Sequence, residues 1–141
     1  MGRRREGREA ALQMLYQIEI SGQSADECAD TYWTTRKDPG DEVRLHAEAL
    51  ARQASADRES IDSLIDSAAS NWHLNRIARL DLSILRVAVC ELIHFPATPP
   101  EVVIDEAVEI ARRFSDEESA SFINGILDRV ARDRGLIEGR S

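Results

Sequence analysis

Apolar residues recur at three- and four-residue spacing along almost the whole chain, the pattern of successive amphipathic helices. Ala11, Leu12, Leu15 and Ile18 line one face of a first helix, which Gly22 should end. A weaker segment over residues 24–35 carries Cys28, Tyr32 and Trp33, and Asp38–Pro39–Gly40–Asp41 reads as a turn leading into a capped helix. Val43, Ala47, Leu50, Ala51 and Ala54 mark a third helix. Asp57 is placed to cap a fourth, with Ile61, Leu64, Ile65 and Ala68 on its face. From Ile77 to Ile93 the pattern changes, because apolar residues surround most of the helix. Such a segment belongs at the centre, packed by neighbours on several sides. After His94–Phe95–Pro96–Ala97 breaks it, Thr98–Pro99–Pro100–Glu101 predicts a capping box with proline at the first helical position. Val103, Ala107, Ile110, Ala111 and Phe114 form the next face. Ser115 through Glu118 predicts a second capping box, and Ile123, Ile126, Leu127 and Val130 carry a last helix. The reading is an all-α bundle of about seven helices, without strands or internal repeats.

Composition narrows the picture. A chain of 141 residues, 43% apolar, is one domain able to bury a core. No apolar run approaches the ~20 residues of a membrane span, and the arginine-rich start lacks the apolar stretch of a signal peptide. Cys28 and Cys90 lie far apart in helical segments and read as buried, reduced thiols, which implies a cytoplasmic protein. The tail Ile137–Glu138–Gly139–Arg140 reads as native chain or a protease-recognition remnant and is left out of the fold reading. Charge is unevenly placed. Arg3, Arg4, Arg5 and Arg8 against Glu6 give the first eight residues +3 in a chain of net −8, leaving −11 for residues 9–141. A short basic arm on an acidic body suits one local contact with nucleic acid rather than general polyanion binding. A solvated tail is the plainer reading of the same run.

Candidate chemistry is sparse. His46, His73 and His94 are scattered, with no nucleophile at a telling position. Glu91–Leu92–Ile93–His94 matches half of a di-iron motif, but no second copy follows, and there is no glycine-rich phosphate loop. The expectation is therefore no catalytic residue, no metal and no cofactor. The polar residues on otherwise apolar helices say more. Arg79 and Arg86, seven apart, share a stripe of the central helix, and Tyr16 lies eleven residues from Arg5, on one edge of the first helix with Gln13 beside it. A tyrosine and an amide next to arginines suit a single-stranded nucleic acid, whose bases stack on rings while phosphates meet guanidinium groups. A water-facing stripe and a core tyrosine are the structural alternatives. Glu118 lies one turn before Phe122, so if Phe122 borders a nucleic acid this carboxylate would stand beside incoming phosphates. Asn124–Gly125 inside a helix implies that something needs the missing side chain, either close packing or an approaching ligand.

Four segments in order resemble the NusB family: Arg8 through Tyr16, Ile77–Ala78–Arg79–Leu80–Asp81 leading to Ile84–Leu85–Arg86–Val87–Ala88 and Glu91–Leu92, Pro100 with Val102 through Val108, and Phe122 through Asp128. The resemblance implies two packed three-helix sub-bundles, set here at residues 9–69 and 70–136 behind a basic arm at 1–8. It also implies a non-catalytic role in transcription antitermination. The chain would bind boxA-type single-stranded RNA of nascent transcripts, notably ribosomal RNA leaders, together with the ribosomal protein NusE, and reach RNA polymerase indirectly. Carried over by position, Arg3, Arg4, Arg5, Arg8, Gln13, Tyr16, Arg86, Phe122 and Asn124 would form the RNA face, joined by Arg79 and Glu118 from the reading above. Asp81, with Leu80 and Ile84, would face the partner. Asp105 and Ser115 stand where the family usually has asparagine and glycine. Two alternatives stay open: the RNA-binding front end of an rRNA cytosine methyltransferase, for whose methyl-donor domain 141 residues leave no room, and a homodimer without an RNA role.

Overall fold

The computed structural model describes residues 2–70 and 73–138; Gly139 and Arg140 of the tail lie outside them. Seven α-helices account for most of these residues: α1 (Gly2–Ser21), α2 (Ala25–Tyr32), α3 (Asp41–Ala56), α4 (Arg58–Ala68), α5 (Arg79–His94), α6 (Pro100–Phe114) and α7 (Glu117–Asp133). Short 3₁₀ turns at Trp33–Thr35 and Leu74–Arg76 complete the regular structure, and no strand occurs among the described residues. None of the helices is long and apolar enough to cross a membrane.

Helix α5 occupies the centre, as its all-round apolar pattern requires, and packs against α1, α3, α4, α6 and α7. Leu85, Val89 and Cys90 are fully enclosed there. Helices α1, α2 and α3 form one group around a smaller cluster of Met14, Cys28, Tyr32, Ala47 and Ala51. Helix α4 rests on α5 and α7 and touches α3 less. Both cysteines are buried and free. Burial, with the charges of Glu91 and Asp57, pushes the Cys90 thiol up to about 12, which makes it a core atom rather than a reactive group.

Helix ends depart from the sequence reading in instructive ways. Gly22 and Gly40 stop α1 and precede α3 with φ of +77° and +102°, a region that L side chains avoid. The box predicted at Thr98–Glu101 does not form. Pro100 takes the first turn and Pro99, the capping residue, has no side-chain acceptor to offer. At α7 the cap is Asp116, not Ser115. Its carboxylate accepts from Ser119 N at 2.8 Å and also favours the positive end of the helix, while Ser115 Oγ meets Ser119 Oγ at 3.0 Å. Asp57 does stand at the start of α4, but its carboxylate is engaged by His94 Nε2 at 2.8 Å instead of capping. Glycine is needed for close packing at Gly7, not Gly125. A Cβ at Gly7 would lie 2.6 Å from the His46 ring, whereas one at Gly125 would meet nothing within 4 Å.

Candidate nucleic-acid interface

The arginines expected as an arm are built into the first two turns of α1. Arg3 and Arg4 are exposed and lightly held: Arg3 Nη1 lies 3.6 Å from Glu42, and Arg4 Nη1 approaches His46 Nδ1 at 3.4 Å. Burial and the neighbouring Arg4 cation depress the His46 pKa, and its Nε2 is buried without a partner. Arg5 is engaged more firmly, donating through Nε and Nη2 to the two carboxylate oxygens of Glu106 at 2.9 Å each.

Arg8 corrects the sequence reading. It is 5% exposed and donates through Nε and Nη2 to Glu91 on α5 at 2.7 and 2.6 Å, with Glu91 itself 1% exposed. A guanidinium so enclosed cannot meet a phosphate without breaking a buried ion pair. The signal was present in the chain, since Arg8 precedes Leu12 and Leu15 by four and seven residues and therefore shares their apolar face. Arg86 is the second such case. It is 8% exposed and donates to both oxygens of Asp62 on α4 at 2.8 and 2.9 Å, with Glu19 3.6 Å away. The stripe expected from Arg79 to Arg86 therefore splits, because α4 covers its second half.

Gln13, Tyr16, Arg79 and Leu80 do come together, in a groove between α1, the start of α5 and the end of α6 that Phe114 and Arg36 also line. Tyr16 is 39% exposed, which removes the core-packing alternative. Tyr32 Oη donates to Gln13 Oε1 and fixes the amide at the groove edge. Arg36, which the sequence reading missed, donates Nη1 to the Tyr32 carbonyl at 2.8 Å, and its guanidinium lies 3.8 Å above the Tyr32 ring. Neither Arg36 nor Arg79 has a carboxylate partner among the described residues, and the groove lining holds no aspartate or glutamate although the chain has 26 of them. Two unneutralised guanidinium groups beside two exposed rings form a surface for anionic, partly apolar ligands.

The remaining sites scatter. Ile84 is 3% exposed and belongs to the core, so it cannot meet a partner directly, whereas Leu80 is half-buried on the groove wall. Asp81 is nearly enclosed and accepts from Ser119 Oγ at 3.1 Å; burial pushes its carboxyl above the usual range, against that hydrogen bond. Glu118 is exposed on the first turn of α7, and Phe122 is partly buried against the main core. Asn124 faces elsewhere, into a groove with Glu101, Asp105, Asp128 and Arg132, so it is not gathered with Tyr16. That acidic setting suits phosphates poorly.

The chain is 51% identical over 132 residues to the transcription antitermination protein NusB of Koribacter versatilis, covering 94% of this chain and 90% of that one. The solved structure of T. maritima NusB superposes with a TM-score of 0.81 at 34% identity, covering 92% and 91% of the two chains. A chain in the crystal structure of antitermination factors NusB and NusE in complex with dsRNA shares the fold, with a TM-score of 0.85 at 24% identity over 94% and 98%. The NusB family profile matches residues 5–132, and the chain belongs to the NusB family.

Proposed function

We propose that this chain is a transcription antitermination factor that binds boxA-type single-stranded RNA jointly with the ribosomal protein NusE, acting in the cytoplasm and reaching RNA polymerase through that complex. It acts as a binding protein rather than an enzyme, a role in line with relatives named transcription antitermination proteins. The observation that carries the reading is the acid-free groove of Tyr16, Phe114, Arg36 and Arg79 on an acidic chain. Stacking surfaces and unpaired cations are what a single strand requires. The neighbour of like fold solved with NusE and double-stranded RNA supports a shared complex. Leu80 on the groove wall, next to Asp81, offers that partner a place beside the RNA. An acidic body gives weak affinity alone, and a basic partner supplies complementary charge. The test is a fluorescence-anisotropy titration of a labelled boxA oligonucleotide, with and without NusE. Tighter binding with NusE is expected, and equal affinity in both titrations overturns the partner-dependent reading.

A further inference from the structure

The start of α1 is a poor helix by its own sequence. Its first turn contains no acidic residue and instead carries Arg3, Arg4 and Arg5, where unpaired N–H groups and the positive end of the helix dipole disfavour cations. Gly2 and Gly7 lower the helical preference further. Two of the contacts that hold this turn are weak. The Arg3–Glu42 pair is about two-thirds exposed on both sides, and Arg4 reaches only His46 at 3.4 Å. The Arg5–Glu106 pair differs in kind. It is two-pronged at 2.9 Å, its side chains are 33% and 18% exposed, and it joins α1 to α6 across 101 residues of chain. Glu106 also lies 3.9 Å from Arg8 Nη1, so one carboxylate serves two successive turns of the helix.

We infer that Glu106 is a positioning residue for RNA binding: by clasping Arg5 it keeps the first turns of α1 helical and so presents Arg3 and Arg4 to the RNA. This rests on the RNA-binding reading above. The two arginines then need no ordering at the moment of binding, and an ordering cost that would weaken affinity is removed in advance. Arg5 itself is a strut in this arrangement, since Glu106 already occupies its guanidinium. A purely electrostatic view makes the opposite forecast, because a carboxylate beside an arginine cluster should repel phosphates and its removal should tighten binding.

The experiment compares E106Q, R5Q and the double variant R5Q/E106Q in the full chain, using anisotropy titrations of a single-stranded boxA oligonucleotide with NusE present. Amide hydrogen exchange is followed in the free proteins. The buried Arg8–Glu91 pair is left in place, and circular dichroism confirms that each variant is folded. All three variants should lose RNA affinity to the same extent, roughly tenfold, comparable to the cost of ordering about one residue of backbone. Exchange should quicken at the amides of residues 6–9, which bond to the carbonyls of the first turn, while α7 stays unchanged. Binding by E106Q that equals or exceeds wild type overturns the role of Glu106 alone. A double variant weaker than both singles by the product of their losses shows that Arg5 touches RNA independently and overturns it also. A wild-type chain that binds no RNA overturns the function proposed above and this role with it.

Discussion

At the start of α7, Asp116 caps the helix and Glu117 and Glu118 fill the first turn. At the start of α1 the corresponding places belong to Arg3, Arg4 and Arg5. The first arrangement follows helix electrostatics and is stable locally, whereas the second opposes them and depends on carboxylates brought from α5 and α6. A helix end that works against its own dipole has to be held from outside. It also displays positive charge in a fixed geometry, which a flexible arm would not. On the proposed function, the difference between the two ends separates residues that build the fold from residues placed for a ligand.

The strongest way to break the comparison is to remove the deepest of the external anchors. Glu91→Gln leaves the Arg8 cation buried without its carboxylate, and a loss of about 3–5 kcal/mol is expected in urea or thermal unfolding. Replacing both residues with methionine should recover most of that loss, because an apolar pair of similar volume suits the site about as well. A small effect of Glu91→Gln would mean that α1 does not need the anchor.

Next in size is the exposed pair. Arg3→Gln with Arg4→Gln removes cations from an unfavourable helix end, so the fold should be unchanged or slightly firmer while RNA affinity falls. The slope of log affinity against log salt should drop by about 1.4, at roughly 0.7 for each single-strand phosphate that is no longer neutralised. Adding Arg5→Gln and Arg8→Gln should not double that drop, because both groups are committed to Glu106 and Glu91. A drop near ~2.8 for all four would place every arginine on phosphate.

Acid titration sharpens the same contrast in smaller steps. The Arg5 hydrogen bond holds the Glu106 carboxyl below its ordinary range, so it binds protons more weakly folded than unfolded. Its contribution is complete above the unfolded value of 4.5 and is lost as pH falls through the folded one. Burial raises Asp81 from 3.8, which reverses the sign: its folded form gains protons first, and its unfavourable charge is relieved on acidification. Stability measured between neutral pH and about 3 should therefore fall less steeply for Glu106→Gln than for wild type, and more steeply for Asp81→Asn. Identical slopes in the three proteins would contradict both assignments.

What the sequence revealed and what it hid follow one rule. Helix number, the central place of α5 and the buried cysteines depend on local apolar periodicity, which the chain displays openly. The fates of Arg8 and Arg86 depend on Glu91 and Asp62, which stand 83 and 24 residues away, and treating charge as exposure misplaced both. Arg36 stayed invisible because nothing near it marks a site; it acquires one only when α2 and the following turn bring it beside Tyr16 and Arg79. Asn124 erred in the other direction. It stands two positions after Phe122, so the turn of the helix points the two side chains to different faces.

The smallest expected effect belongs to Glu118. It is exposed on the first turn of α7, and Phe122 lies one turn further along the same edge. Since Asp116 supplies the cap, Glu118 is not needed to complete one, so Glu118→Asn should cost only the few tenths of a kcal/mol that an acidic residue contributes near a helix start. Its carboxylate would still repel a phosphate passing Phe122, and removing one partly screened charge should tighten RNA binding by under about 1 kcal/mol, a few-fold in affinity. The salt dependence supplies the check, since loss of a repulsive charge alters affinity most at low ionic strength and little at high. If Glu118→Asn binds RNA as wild type does even at low salt, then RNA does not pass the start of α7, and Phe122 belongs to the core alone. If the variant instead loses appreciable stability, Asp116 is not sufficient as a cap, and the α7 start relies on its second acid more than the hydrogen bonding implies.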